Sequence, residues 1–321
     1  LLILYDFNYL VFDTFLYCYI LLYVVKLLIL FFIQLKKNRL TYNFGISNLN
    51  IKEYLTYGFY VITGGGASIL VSRLDLLMIE FYLDLKNVAY YGLAFFIASV
   101  IKVSSRSIST ITDPLIAKYF ELKDFKNIEV IYKKTSNNLI IIGGIIFLCI
   151  TLNVDDILSL LPEKFSHTRM VVILISCAQL FPLLAGLQGV ILINSPYFKS
   201  IIYFNIFFFA VTFFTNFLFI PKYGINGAAL ATMLSIATFN IVRMFYIHKK
   251  LDLHPFSANT SIILLIIISM YYLVNLVPLF DHAILNIILR SSIVFISFLF
   301  LIIKLKLSED IINLLFSFRN K

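Results

Sequence analysis

Lys102, Arg106, Ser109 and Asp113 recur at i, i+4, i+7 and i+11 within a long apolar run. On a helix this spacing stacks all four on one face over about three turns. Ser99, Ser104, Ser105, Ser107, Thr110 and Thr112 place hydroxyls around them. A cationic stripe turned towards lipid is unstable, so the stripe is expected to face an interior space. Ammonium and guanidinium groups lining such a space suit an oxyanion such as a phosphate or pyrophosphate. The competing reading is that the two side chains snorkel to headgroups; Arg106 lies nearer the inner end and has the shorter reach.

The preceding apolar run carries Arg73, Asp75 and Glu80. Arg73 and Glu80 are two turns apart and share a helical face, whereas Asp75 points elsewhere. Arg73 therefore joins Lys102 and Arg106 as a candidate anion-binding cation. Asp75, Glu80 and Asp113 are candidates for carrying a coupling proton or sodium ion. The plainer alternative is that Asp75 and Glu80 pair with Arg73 near the outer interface. Further along, Gln179 and Gln188 flank Pro182, and Asn205, Thr212 and Asn216 share a face. Gln179, Gln188 and Asn205 are candidates for lining a polar path, although each singly also suits an interhelical hydrogen bond. Gly64, Gly65 and Gly66 lie in the middle of a run and are expected to permit bending or close helix contact. Cys18, Cys149 and Cys177 all fall inside apolar runs with no metal or redox spacing, and His167, His248, His254 and His282 fall in loops or at run ends. No metal site and no cofactor is expected, and the cysteines read as packing residues.

The elements that must position these groups are membrane spans. Of the 321 residues 61% are hydrophobic and 13% charged, against about 25% charged in globular chains. Roughly nine runs of bilayer length follow one another, at about 12–33, 56–83, 88–112, 137–153, 169–193, 199–220, 225–247, 259–279 and 284–305. They are continuous rather than alternating with period two, which points to helices and not a barrel. The expected fold is an all-α polytopic membrane protein with about nine transmembrane helices. The net charge of +9 does not indicate nucleic acid, because the cations collect in every second loop. Lys36, Lys37, Arg39 and Lys52 make one group, Lys118 to Lys134 a second, Lys199 stands alone in a third loop, Arg243, Lys249 and Lys250 make a fourth, and Lys304, Lys306, Arg319 and Lys321 a fifth. Positive-inside bias places these loops and the C-terminus of a multi-pass chain in the cytoplasm.

Three segments are expected: 1–53, a last helix of a preceding lobe with a basic linker; 54–250, a six-helix lobe; and 251–321, two accessory helices and a tail. Residues 114–134 alternate apolar and charged positions, with Leu115, Tyr119, Leu122 and Phe125 in one stripe. They read as an amphipathic helix on the cytoplasmic leaflet. The chain begins at Leu1 without a signal-peptide pattern, and its first residues read as the tail of an earlier segment.

Two stretches carry a family resemblance. Phe219-Ile-Pro-Lys-Tyr-Gly-Ile-Asn-Gly-Ala-Ala-Leu-Ala-Thr232 resembles the glycine-alanine turn of bacterial polysaccharide flippases. Ser72-Arg-Leu-Asp-Leu-Leu-Met-Ile79, followed by Asn87-Val-Ala-Tyr-Tyr-Gly-Leu-Ala94, resembles the helix-turn-helix pattern of the same family. Asp113-Pro-Leu-Ile116, read as a break, and Ile157-Leu-Ser-Leu-Leu161 match in order and spacing. The family is the O-antigen and teichoic-acid type exporters of the multidrug/oligosaccharidyl-lipid/polysaccharide superfamily, and the resemblance covers most of 50–250. It implies a C-terminal portion of a two-lobe exporter, with about five helices of the first lobe absent. It also implies movement of a polyprenyl-diphosphate-linked oligosaccharide across the membrane by alternating access, with Arg73, Lys102 and Arg106 as cavity cations. The implied partners are the lipid-linked oligosaccharide, membrane lipids and other polysaccharide-assembly membrane proteins, and the chain is not expected to be an enzyme. Two alternatives stand beside this. A polytopic enzyme, either a polymerase or a lipid-linked glycosyltransferase, would rest on Asp155-Asp156, but no long external loop accompanies the pair. A multidrug exporter of the same superfamily sits poorly with a cationic cavity.

Overall fold

A computed structural model describes residues 12–36, 55, 58, 73–277, 280 and 282–313. The chain divides into two units, Leu1–Tyr54 and Leu55–Lys321. In the first, α1 (Phe12–Lys36) is an uninterrupted helix whose described side chains, from Tyr17 to Phe32, are almost all exposed and apolar. That surface suits lipid, because it is apolar all round.

The second unit is all α-helical among the described residues. In order it comprises α2 (Leu74–Tyr82), α3 (Leu85–Ser99), a 3₁₀ turn (Val100–Lys102), α4 (Val103–Glu121), α5 (Phe125–Leu152), α6 (Val154–Ser159), α7 (Arg169–Ala185), α8 (Gln188–Asn194), α9 (Ser200–Leu251), α10 (Ala258–Asn275) and α11 (Ala283–Lys304). Six helices among the described residues are long and apolar enough to cross a bilayer, and their outward faces expose Phe96, Ile111, Tyr203, Phe214, Phe245, Leu265 and Ile296. An apolar surface of this extent is stable only in lipid. The protein is an all-α multi-pass membrane protein.

The expected nine runs do not appear as nine helices among the described residues. Run 56–83 is described continuously only from Arg73, and Gly64–Gly66 lie outside the described residues. Run 169–193 is divided at Gly186, whose φ of 55° and ψ of −127° end α7. Runs 199–220 and 225–247 form one 52-residue helical element, α9, interrupted at Gly224 with φ 58° and ψ −136°. The two legs of α9, 200–223 and 225–251, fold back antiparallel. Thr215 Oγ1 meets Ser235 Oγ at 2.9 Å, and Phe208 packs on Phe239 with ring centroids 4.6 Å apart. The turn needs Gly227: a Cβ there would lie 2.1 Å from the Phe219 carbonyl oxygen.

Two further expectations are corrected. Asp113-Pro114 does not end a helix; α4 runs through Pro114 to Glu121. Proline inside a membrane helix is tolerated where hydroxyls and neighbours help satisfy the backbone, and here Thr110 and Thr112 donate to the Arg106 and Ile108 carbonyls. Residues 114–134 are not one surface helix. Lys123 turns the chain with φ 55°, and Asp124 caps α5 by accepting from Asn127 N at 3.1 Å. Leu115, Leu122 and Phe125 are exposed, while Ile116, Ile128 and Tyr132 are fully buried.

The core has two apolar layers. One gathers Ile79, Tyr91, Leu148, Ile175, Leu183, Ile220 and Ala228. The other gathers Ile116, Tyr132, Leu187, Ile191, Phe204 and Ile247. Each leg of α9 contributes to both layers, and the stretch between the layers is where polar side chains collect. On the opposite flank, α10 and α11 pack against α5 through Gly144, where an added Cβ would meet Ile267 Cδ1 at 2.5 Å.

Candidate functional site

The second leg of α9 places Thr232, Ser235, Phe239, Asn240 and Arg243 on one face, at the three- and four-residue steps of a helix. All five line a cavity of about 270 Å³ between the two apolar layers. Phe208 and Thr212 of the first leg close one side. Gln179 and Pro182 close another from the last turns of α7. Asp75 at the start of α2, and Phe95 and Lys102 along α3 and the 3₁₀ turn, complete the wall.

The break after α7 is built into this wall. α7 runs through Pro182 and ends at Gly186, and Ser136 Oγ of α5 donates to the Leu184 carbonyl at 2.6 Å. Gly186 passes so close to α5 that a Cβ would lie 3.2 Å from Ser136 Cβ. Irregular backbone at membrane depth is tolerated where it is buried in protein or lines a cavity. The break starts a fresh helix at Gln188.

The cavity is polarised. At one end the Asp75 carboxylate, only 4% exposed, accepts from the Tyr91 hydroxyl at 2.6 Å and from the Leu76 amide at 2.9 Å. Thr232 Oγ1 lies 2.9 Å from the Tyr91 hydroxyl and 3.5 Å from the carboxylate. At the other end are Arg243 and Lys102. Thr232 and Arg243 are eleven residues apart on one leg, so the two ends are separated by about 16 Å along the helix axis. None of Asp75, Lys102 and Arg243 forms an ion pair among the described residues. Arg243 donates from Nε to Gln188 Oε1 at 2.7 Å, and its guanidinium carbon lies 4.7 Å from the Phe239 ring centroid. Unpaired cations beside a hollow in a membrane are high in energy, and an anion entering the hollow relieves that cost.

The structure brings together some of the residues expected from sequence and separates others. Asp75, Lys102 and Gln179 line the cavity, with Lys102 exposed at its open side. Gln188 stands directly behind the wall, bonded to Asn240 and Arg243. Arg106, Arg73 and Glu80 are exposed and outside the lining. The stripe Lys102, Arg106, Ser109, Asp113 therefore contributes only its first member to the hollow. Asp113 is half-buried away from it, with Oδ1 unbonded, and Asn205 is buried in the first leg outside the lining. Asp155 pairs with Arg169 at 2.7 Å on the exposed surface, and the half-buried Asp156 accepts from Asn286 at 3.1 Å. Arg243, Asn240 and Tyr91 are not among the candidates that the sequence offers. Arg243 reads there as a loop cation, although its step of eleven from Thr232 through Ser235 and Asn240 marks a polar face inside the run.

No family model matches the chain, and no curated protein matches it either.

Proposed function

We propose that this protein moves a lipid-linked, diphosphate-bearing saccharide across the cytoplasmic membrane of a bacterium, as the C-terminal part of a two-lobe flippase. The observation that carries the reading is a cavity within the helical bundle that presents Lys102 and Arg243 unpaired, its lining carboxylate, Asp75, standing at the opposite end. A diphosphate cannot cross hydrocarbon unaided, and two cations in a low-dielectric hollow offer the charge-assisted bonds it loses on leaving water. The polyprenyl tail stays in lipid throughout. On this reading the membrane organisation is the nine-span one, with 54–250 as the lobe, 251–321 as accessory helices and the basic loops and C-terminus in the cytoplasm.

Release then requires that the hollow close or change its exposure, as when one helical bundle rocks against another around a fixed site. In this reading Asp75, held by Tyr91 and Thr232, takes up the coupling proton or sodium ion. Asp113 and Glu80 lie away from the hollow and are weaker candidates for that role. Arg106, exposed and nearer the inner end, meets headgroups before the substrate reaches the hollow, and Arg73, also exposed, meets them on the outer side. The test is translocation of a polyprenyl-diphosphate oligosaccharide in vesicles containing the purified chain. Lys102→Ala and Arg243→Ala are each expected to reduce the rate at least about tenfold, the loss of one charge-assisted bond. Equal rates in both variants and the parent, or no movement in the parent, overturn the reading.

A further inference from the structure

Arg243 is not left to find its own orientation. Asn240 Nδ2 donates to the Ile236 carbonyl one turn back at 2.7 Å. That bond fixes which way the amide faces, leaving Oδ1 as an acceptor. Gln188 Nε2 donates to it at 2.9 Å, which turns Gln188 Oε1 towards Arg243, and Nε of Arg243 donates there at 2.7 Å. Each bond dictates the polarity of the next, in a chain that starts at a backbone carbonyl and ends at a guanidinium. Gln188 is 1% exposed and Asn240 6%, so neither amide has solvent as an alternative partner. With Nε occupied and one face of the guanidinium against Phe239, the two terminal nitrogens remain for a bidentate oxyanion. Gln188 is in reach because the helix stops at Gly186 and restarts at Gln188 itself.

We propose that Asn240 and Gln188 form a positioning relay that holds Arg243 as a preformed fork for a phosphate of the diphosphate class, with Lys102 supplying the second charge. This deepens the reading above and rests on it for the identity of the ligand. Neither amide touches the anion; both act through Arg243. A fork fixed in advance loses little freedom on binding, so the relay contributes to affinity and not to stability alone.

The experiment is binding of inorganic pyrophosphate to the purified full chain in nanodiscs, by calorimetry, alongside thermal unfolding of each variant. Gln188→Leu removes the acceptor and is expected to weaken binding about tenfold, the value of a bond to a charged group. Gln188→Glu keeps an acceptor for Nε, gives up the donor to Asn240 Oδ1 and sets a carboxylate against the guanidinium, the new ion pair offsetting the lost bond. It is expected to retain the parent unfolding temperature and to lose pyrophosphate binding to a larger extent than Gln188→Leu. A merely structural glutamine predicts the reverse: affinity tracking the unfolding temperature in both variants. If Arg243→Ala loses binding while Gln188→Leu and Gln188→Glu both bind as the parent does, the relay is overturned and the transport reading survives. If the parent binds no pyrophosphate, or binds it equally with Arg243→Ala, relay and transport reading fall together. Should Gln188→Leu not fold, Gln188→Glu alone decides.

Discussion

The two flanks of α5 use similar polar residues in opposite ways. Towards α10 and α11, several interhelical amides and hydroxyls are bonded to one another. Asn137 donates to Ser257 at 2.9 Å and accepts from Thr260 at 2.6 Å, while Asn138 joins Ser308 and Asp310. Arg290, 6% exposed, donates to the Leu152 carbonyl at the end of α5 and to Val277 just past α10. A cation at two helix C-termini also complements their dipoles. Towards α7 and α9, Lys102, Gln179 and Arg243 line an open space instead. Polar groups in a membrane bundle are thus of two kinds: those that close helix ends and interfaces, and those whose partner must come from outside.

The sharpest way to break this contrast is backbone crowding at matched glycines. Gly227→Ala is expected to destabilise by about 3 kcal/mol, the upper range for overpacking, because its Cβ meets a carbonyl that cannot rotate away. Gly144→Ala on the braced flank meets the Ile267 side chain, at Cδ1 and Cγ1, and no backbone, and is expected to cost about 1 kcal/mol. Denaturant unfolding in mixed micelles measures both, and equal costs would remove the distinction between a fixed turn and a yielding contact. Next in size, Arg290→Leu is expected to cost about 2–3 kcal/mol by orphaning two helix-end carbonyls, with pyrophosphate affinity of the folded fraction unchanged. A loss of affinity there would mean that the two flanks are not independent. Smallest is a pair of amide replacements. Asn137→Ala is expected to cost about 1 kcal/mol, whereas Gln179→Leu, facing the hollow, stays within about 0.5 kcal/mol. If Gln179→Leu is the costlier of the two, its amide is a brace and not part of a binding wall.

The helical architecture was legible because bilayer-length apolar runs leave few alternatives, and Asp75, Lys102, Gln179 and Gln188 stood out as polar groups inside such runs. What a single helix cannot state is which of its faces meets the bundle. Lys102 and Arg106 are one turn apart and equally basic, yet only the first reaches the hollow; the 3₁₀ turn ending at Lys102 and the packing of α4 on α5 decide that. Arg243 was hidden for a different reason. Its neighbours Lys249 and Lys250 made it look like one more charge at a membrane surface, while the three- and four-residue steps from Thr232 showed that it belongs to the interior. The turn at Gly224 was readable from Pro221 and the glycines, whereas the break at Gly186 was not, since Pro182 alone does not say where a helix resumes.

At about 270 Å³ the hollow falls just below the range of pockets that enclose a drug-sized molecule. It has room for a charged linkage and little more, so on the proposed reading the sugars ride beyond its mouth. Discrimination among glycans is then the task of surfaces elsewhere, and this bundle inspects only the phosphates that every such carrier shares. Swapping the saccharide while keeping the diphosphate should leave its grip unaltered.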